Sequence, residues 1–224
     1  MRAEARPPRR KWPWIVAGAA VVALVVAGGV WYVNRPGDAP TEPTAAPSAS
    51  PSTAPVDGDP TGCLGGDARD AAMVLAAQAE APHTSNGAVE VAAALVRWSR
   101  RYPVPSQEEA SLVQAALIAP EAGYDLASTF AGDPNLSASL VPNGEEFYLS
   151  TVPGVWNLEA YAGEIARVSV GTGVVVNGEL HPTFRISTMY TLVWTDAGWI
   201  VTAANPPRPT EELFSIGTGF TEGC

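Results

Sequence analysis

FRISTMYTLVWTDAGWIVTA, residues 184–203, alternates its side chains and then turns back on itself. Phe184, Ile186, Thr188, Tyr190, Leu192 and Trp194 fall on one side of the alternation, and Arg185, Ser187, Met189, Thr191 and Val193 on the other. A period of two marks a β-strand with one bulky face and one mixed face. Asp196-Ala197-Gly198 reads as a tight turn, and Trp199 to Ala203 returns beside the first strand as a hairpin. Upstream, Ile165 to Val176 reads as another strand, with Gly171 and Gly173 marking a bend or bulge. Asn177-Gly178 is a strong hairpin signal, although Pro182 implies a longer, irregular connection. Phe147 to Val152 and Val155 to Ala162 read as two further strands.

The preceding part reads as helical. Val91, Leu95, Trp98 and Tyr102 recur at helical spacing within Asn86 to Tyr102, and Pro103 and Pro105 end that run. Ser106-Gln107-Glu108-Glu109 matches a capping box, followed by Leu112, Val113, Ala116 and Leu117 as an apolar stripe before Pro120. A short third helix is expected over Asp125 to Phe130. Helices followed by a run of antiparallel strands define an α+β class, with helices on one face of a curved sheet.

Ahead of this domain lies an uncharged run, Trp12 to Val33, which predicts a single transmembrane helix at 12–33. About 20 apolar residues cross the roughly 30 Å hydrocarbon core, and Trp12, Trp14, Trp31 and Tyr32 sit where interfacial aromatics belong. A cleaved signal peptide would have a shorter apolar centre, of roughly 7–15 residues. Arg2, Arg6, Arg9, Arg10 and Lys11 precede the run, so residues 1–11 are expected in the cytoplasm and the C-terminal part outside the cell membrane. Residues 34–62 carry Pro, Ala, Ser, Thr and Gly with seven prolines, a composition that predicts a disordered linker reaching at most about 90 Å. Residues 63–224 then form the external domain, with its globular composition beginning near Asp67.

Charge narrows the function. Residues 1–35 hold six Arg or Lys against Glu4, whereas residues 36–224 hold seven Arg and 22 acids. An external part of net −15 is unsuited to phosphate backbones, so direct nucleic-acid binding is not expected. His83 and His181 are the only histidines, each beside a proline, and Cys-x-x-Cys or His-x-x-x-His spacings are absent, so no metal and no cofactor is expected. Gly-x-Ser-x-Gly, Ser-x-x-Lys and Walker A motifs are absent too.

The helix pair from Asn86 to Ala119 and the closing hairpin Tyr190 to Val201, with its Trp-x-x-x-Gly-Trp-x-Val pattern, resemble NTF2-like cone domains over roughly residues 70–204. With the anchor and linker, the chain resembles the bitopic NTF2-like subunits of conjugative-transfer, type IV secretion-like, channels of Gram-positive bacteria. That resemblance implies two to three N-terminal helices packed on a curved antiparallel sheet. It also implies a non-enzymatic assembly role, with envelope channel subunits or further copies of the chain as partners. The alternative is a membrane-anchored NTF2-like enzyme or a binder of lipids or small molecules. Asp125, Glu159 and Tyr161 are the nearest candidates for the general base such an enzyme needs, against a reading as solvated acids and a sheet tyrosine.

Two further groups stand out. Cys63 and Cys224 are the only cysteines, and outside the cytoplasm they can pair within the chain, pair between chains or stay free. An internal bridge would staple the start of the domain to residue 224. Arg97, Arg100 and Arg101 form the densest basic cluster of an acidic domain. They suit either partner docking or pairing with local acids near a helix C-terminus.

Overall fold

The computed structural model describes residues 58–133 and 135–224. The expected anchor and most of the linker lie outside them. Among the described residues no helix is long and apolar enough to cross a membrane. What remains is an α+β domain whose helices pack against a curled antiparallel sheet.

Helix α1, Ala71–Glu80, is capped by Asp70, whose Oδ1 accepts from the Met73 amide at 2.9 Å. It belongs to none of the expected helices. Its sequence, AAMVLAAQAE, is almost uniformly apolar, so no stripe distinguishes its buried face, and alanine propensity plus the cap are the signals that remain. Helix α2, Ser85–Ser99, is buried at every position from Gly87 to Ser99. A helix apolar around most of its circumference belongs in the core, and α2 lies against the inner faces of the strands with Trp98 and Leu95 fully enclosed. It stops at Ser99, so Tyr102 is not its last turn; Arg101–Tyr102 form strand β1 instead. Helix α3, Gln107–Leu117, starts with the expected capping box between Ser106 and Glu109. Helix α4, Leu126–Gly132, follows Asp125, whose carboxylate caps Ser128.

The sheet runs β1-β2-β3-β4-β5, all antiparallel, with β2 at Phe147–Tyr161, β3 at Ile165–Val176, β4 at Glu179–Thr195 and β5 at Gly198–Asn205. The two strands expected at 147–152 and 155–162 are one strand with a register shift between Ser150 and Val155. Further shifts follow at Leu158/Ala160, Gly173/Val175 and Thr191/Leu192, and each adds local twist that curls the sheet around α2. The β3–β4 connection corrects another expectation. Asn177 and Gly178, both at positive φ, make a two-residue turn joining Val176 to Glu179, and Pro182 lies within β4 rather than in a long loop. The irregularity moves into the strand, where His181 Nδ1 accepts from the Thr183 and Phe184 amides and the ring stacks on Phe184.

The tail after Asn205 covers the outer face of the sheet. Helix α5, Thr210–Ile216, buries Leu213 completely, and β6, Thr218–Gly219, pairs with β2 at Val155 and Trp156. Gly171 owes its place to this layer: a Cβ there would stand 2.8 Å from Phe214 Cε2 and 3.0 Å from Val155 Cγ2. Thr221 and Glu222 donate backbone hydrogen bonds to Pro60 and Thr61, so the two ends of the domain are zipped together. Pro60 and Gly62 are buried, and the folded region therefore takes in the last residues of the stretch expected to be linker.

Candidate functional site

Where α2 ends, its last turn, the loop before α4, α4 itself, the middle of β4 and Ala204 of β5 line an open-sided pocket of about 260 Å³. Its walls are apolar: Leu95 from α2, Leu126 and Phe130 from α4, and Leu136 from the following loop. Five polar residues share this lining: Ser99, Arg100, Tyr124, Thr129 and Tyr190. Arg100 caps the C-terminus of α2, where a cation complements the helix dipole. Its Nη1 donates to the Leu136 carbonyl at 3.1 Å, and among the described residues no carboxylate pairs with it. Tyr190 reaches in from the inner face of β4. Tyr124 comes from the loop, and its hydroxyl is buried without a hydrogen-bond partner.

Both phenols keep their protons at neutral pH. Burial pushes the Tyr124 hydroxyl well above the usual phenol range, with Tyr190 adding to it. Burial likewise raises Tyr190, partly offset by the nearby Arg100 charge and a hydrogen bond with Ser99. The lining thus holds one cation and four hydroxyl-bearing residues among apolar ones, with no acid and no histidine among them. Such hydroxyls can both donate and accept hydrogen bonds.

The three arginines separate in the structure. Arg97 is fully buried and is unavailable for docking, because its guanidinium is spent on the segment that leads into α1. It donates to the carbonyls of Gly62 at 3.1 Å, Gly66 at 2.6 Å and Ala68 at 3.4 Å. Burial, with Arg69 nearby, brings its pKa down to about 10, so it stays charged at pH 7. Two turns earlier on the same face of α2, Glu90 accepts from the Thr61 amide and hydroxyl and from the Gly62 and Leu64 amides. Glu90 and Arg97 together grip the donors and acceptors of the same loop. The signal for this was in the sequence as two charges seven residues apart in an otherwise apolar helix. Arg101 donates from Nη2 to both Glu109 carboxylate oxygens, each at 3.0 Å, and ties β1 to α3. Of the three, Arg100 lines the pocket at the end of α2.

Cys63 and Cys224 form a disulfide within the chain, with Cα atoms 5.6 Å apart. Asp67 lies beside them, forming the one cluster of three potential metal ligands found among the described residues. Both sulfurs are consumed by the bridge, which leaves a single carboxylate.

The residues weighed as general bases stand apart from the cavity or are committed elsewhere. Asp125 caps α4, and the Ser128 backbone amide and hydroxyl hold its carboxyl below the ordinary range. Glu159 lies on the outer face, where Arg208 and Ser169 donate to it; the Arg208 hydrogen bond foremost holds its pKa at about 2. Tyr161 is exposed near the β2–β3 turn. His83 stacks on Trp194 at 4.3 Å and meets Glu164 at 3.4 Å, on the surface. Tyr124, Tyr190, Glu90 and Arg208 had no part in the sequence-based site; each owes its role to partners far away in the chain.

Comparison with family profiles, curated proteins and solved structures finds no match for this chain. The class that stands is an α+β domain with a disulfide-closed outer layer and an arginine–tyrosine cavity at the end of its central helix.

Proposed function

We propose that residues 58–224 form an NTF2-like cone, held outside the cell membrane by the 12–33 helix and its proline-rich tether. In this reading the domain is a non-enzymatic part of a cell-envelope assembly of the conjugative-transfer or secretion type. The helices laid on a curled antiparallel sheet and the closing β4–β5 hairpin support the cone reading. One observation carries the non-enzymatic part: Asp125 is engaged in a helix cap, Glu159 in an ion pair, Tyr161 is exposed, and none of the three lines the pocket. Acid–base chemistry needs a proton acceptor within about 2.6–3.2 Å of a bound substrate, and no carboxylate or imidazole lines this pocket. Partners are then other envelope subunits or further copies of the chain. The experiment is photo-cross-linking of the full chain in its native membrane from exposed positions such as Leu112 and Ile216, combined with deletion of the gene. Cross-links to envelope subunits and loss of DNA transfer support the reading. Intact transfer with no envelope cross-link refutes it.

A further inference from the structure

The chain holds three Asn-Gly pairs, Asn86-Gly87, Asn143-Gly144 and Asn177-Gly178, and the fold treats them differently. We propose that Asn143-Gly144, in the loop between α4 and β2, is a site of spontaneous covalent modification. Asn143 deamidates to aspartate and isoaspartate there, while the fold protects Asn86 and Asn177. The co-reactants are hydroxide and water. Hydroxide removes the Gly144 amide proton, and the nitrogen bonds to Asn143 Cγ. The Cγ–Nδ2 bond then breaks, ammonia leaves with a proton from water, and a succinimide ring is closed. Water adds to one ring carbonyl, and the C–N bond at that carbon breaks. Opening at Cγ gives aspartate, whereas opening at the main-chain carbon gives isoaspartate. One water is consumed and one ammonia released, with no change of oxidation state.

Three observations single out this pair. Ring closure needs an unobstructed nitrogen, which glycine offers, and at Gly144 the space where a Cβ would stand is open. Closure also turns the peptide between the two residues, so the local turn has to give way. Residues 142–146 are all exposed, and the bond across this turn, from the Glu145 amide to the Pro142 carbonyl, is long at 3.3 Å. Lastly, Asn135 Nδ2 donates to Asn143 Oδ1 at 2.8 Å. That oxygen takes up negative charge as Cγ becomes tetrahedral, so a donor already stands where the oxyanion forms. Asn135 is held in place by the Ser137 amide on its Oδ1 and by its own amide on Asp133 Oδ1. The other two pairs are locked. Asn177 and Gly178 sit at φ 51° and 82° in the tight β3–β4 turn, clamped by the Val176–Glu179 pair and by the Asn177 amide on the Glu146 carbonyl. Gly87 is buried in the first turn of α2, its amide donates to Thr84 Oγ1 at 3.1 Å, and a Cβ there would stand 2.1 Å from the Pro82 carbonyl oxygen. Conversion of Asn143 adds a carboxylate to an acidic domain, and isoaspartate lengthens the main chain in the loop whose Leu136 carbonyl receives Arg100.

The test ages the full chain in detergent micelles in mildly alkaline buffer, beside a sample unfolded in urea that gives each pair's unprotected rate. Peptide mapping by mass spectrometry follows conversion at each asparagine, and chromatography separates the aspartate from the isoaspartate peptide. In the folded chain Asn143 is expected to convert at least about tenfold faster than Asn86 and Asn177, and within about tenfold of its own rate in urea. Asn86 or Asn177 converting within about tenfold of Asn143 in the folded chain overturns the proposal. So does an Asn143 rate more than about tenfold below its rate in urea, because the fold would then protect this pair as well. The outcome is independent of the assembly reading, since conversion is read by mass on the purified chain.

Discussion

Removing the Cys63–Cys224 bridge tests how this domain is held closed. The two residues are 161 positions apart, so the bridge closes almost the whole described chain into one loop. The chain-entropy relation then gives about 17 cal/mol/K, or roughly 5 kcal/mol at 25 °C, removed from the unfolded ensemble. A compact denatured state reduces that figure, and about 2–5 kcal/mol is the expected loss. The native side changes less. Thr221 and Glu222 still bond Pro60 and Thr61, the Cys224 amide still donates to Thr151 Oγ1, and Leu213 remains buried under the tail. The assay is urea unfolding of wild type and Cys63→Ser/Cys224→Ser, each with and without reductant, followed by near-UV circular dichroism. The double variant should show a lower midpoint and a larger m-value, because an unbridged chain exposes more surface when unfolded. Reductant should bring the wild type to the variant and leave the variant unchanged. A loss below about 1 kcal/mol with an unchanged m-value would refute the reasoning, since the bridge would then constrain nothing that the denatured chain samples.

Arg97→Met is expected to cost about 3 kcal/mol, because it strips a charged donor from three carbonyls around the Gly62–Ala68 loop; thermal unfolding measures it, and proteolysis should begin in that loop. Tyr124→Phe should be neutral or stabilising by up to about 1 kcal/mol, as read by thermal unfolding, since the lost hydroxyl is buried and has no partner. Acid should loosen the tail through Glu159. Its folded pKa of about 2 lies below the ordinary 4.5, so the stabilisation is complete above about pH 4.5 and is lost as pH falls through 2. Hydrogen exchange of α5 across that window should show the loss, and Glu159→Gln should remove the dependence.

The legible parts were those with local causes. The alternation from Phe184 to Trp194, the turn at Asp196–Ala197 and the Ser106/Glu109 capping box each arise within a few residues, and each appears in place. Elements whose stability comes from elsewhere were not legible. Helix α1 hides its face among alanines, and α5 is a short, mostly polar helix that forms where Leu213 and Phe214 find the outer face of the sheet. Pro182 pointed to a loop because proline disfavours a regular ladder, yet β4 absorbs it at an irregularity in its pairing with β3. The arginine cluster shows the same limit within one helix turn. Arg97, Arg100 and Arg101 are near neighbours in sequence, but a helix directs successive residues about 100° apart, and the chain leaves the helix after Ser99. One guanidinium is therefore buried, one lines a cavity and one pairs with Glu109.

By itself the sequence determined the α+β class, the strand faces and the acidic balance of the domain, because periodicity and charge are properties of neighbours along the chain. Tertiary structure alone decided the Cys63–Cys224 pairing, the Glu90–Arg97 grip on residues 61–68 and the meeting of Arg100, Tyr124 and Tyr190 around one cavity. Those depend on which distant surfaces the curled sheet brings together. Its curl, in turn, is a sum of four register shifts that no single stretch of the chain encodes.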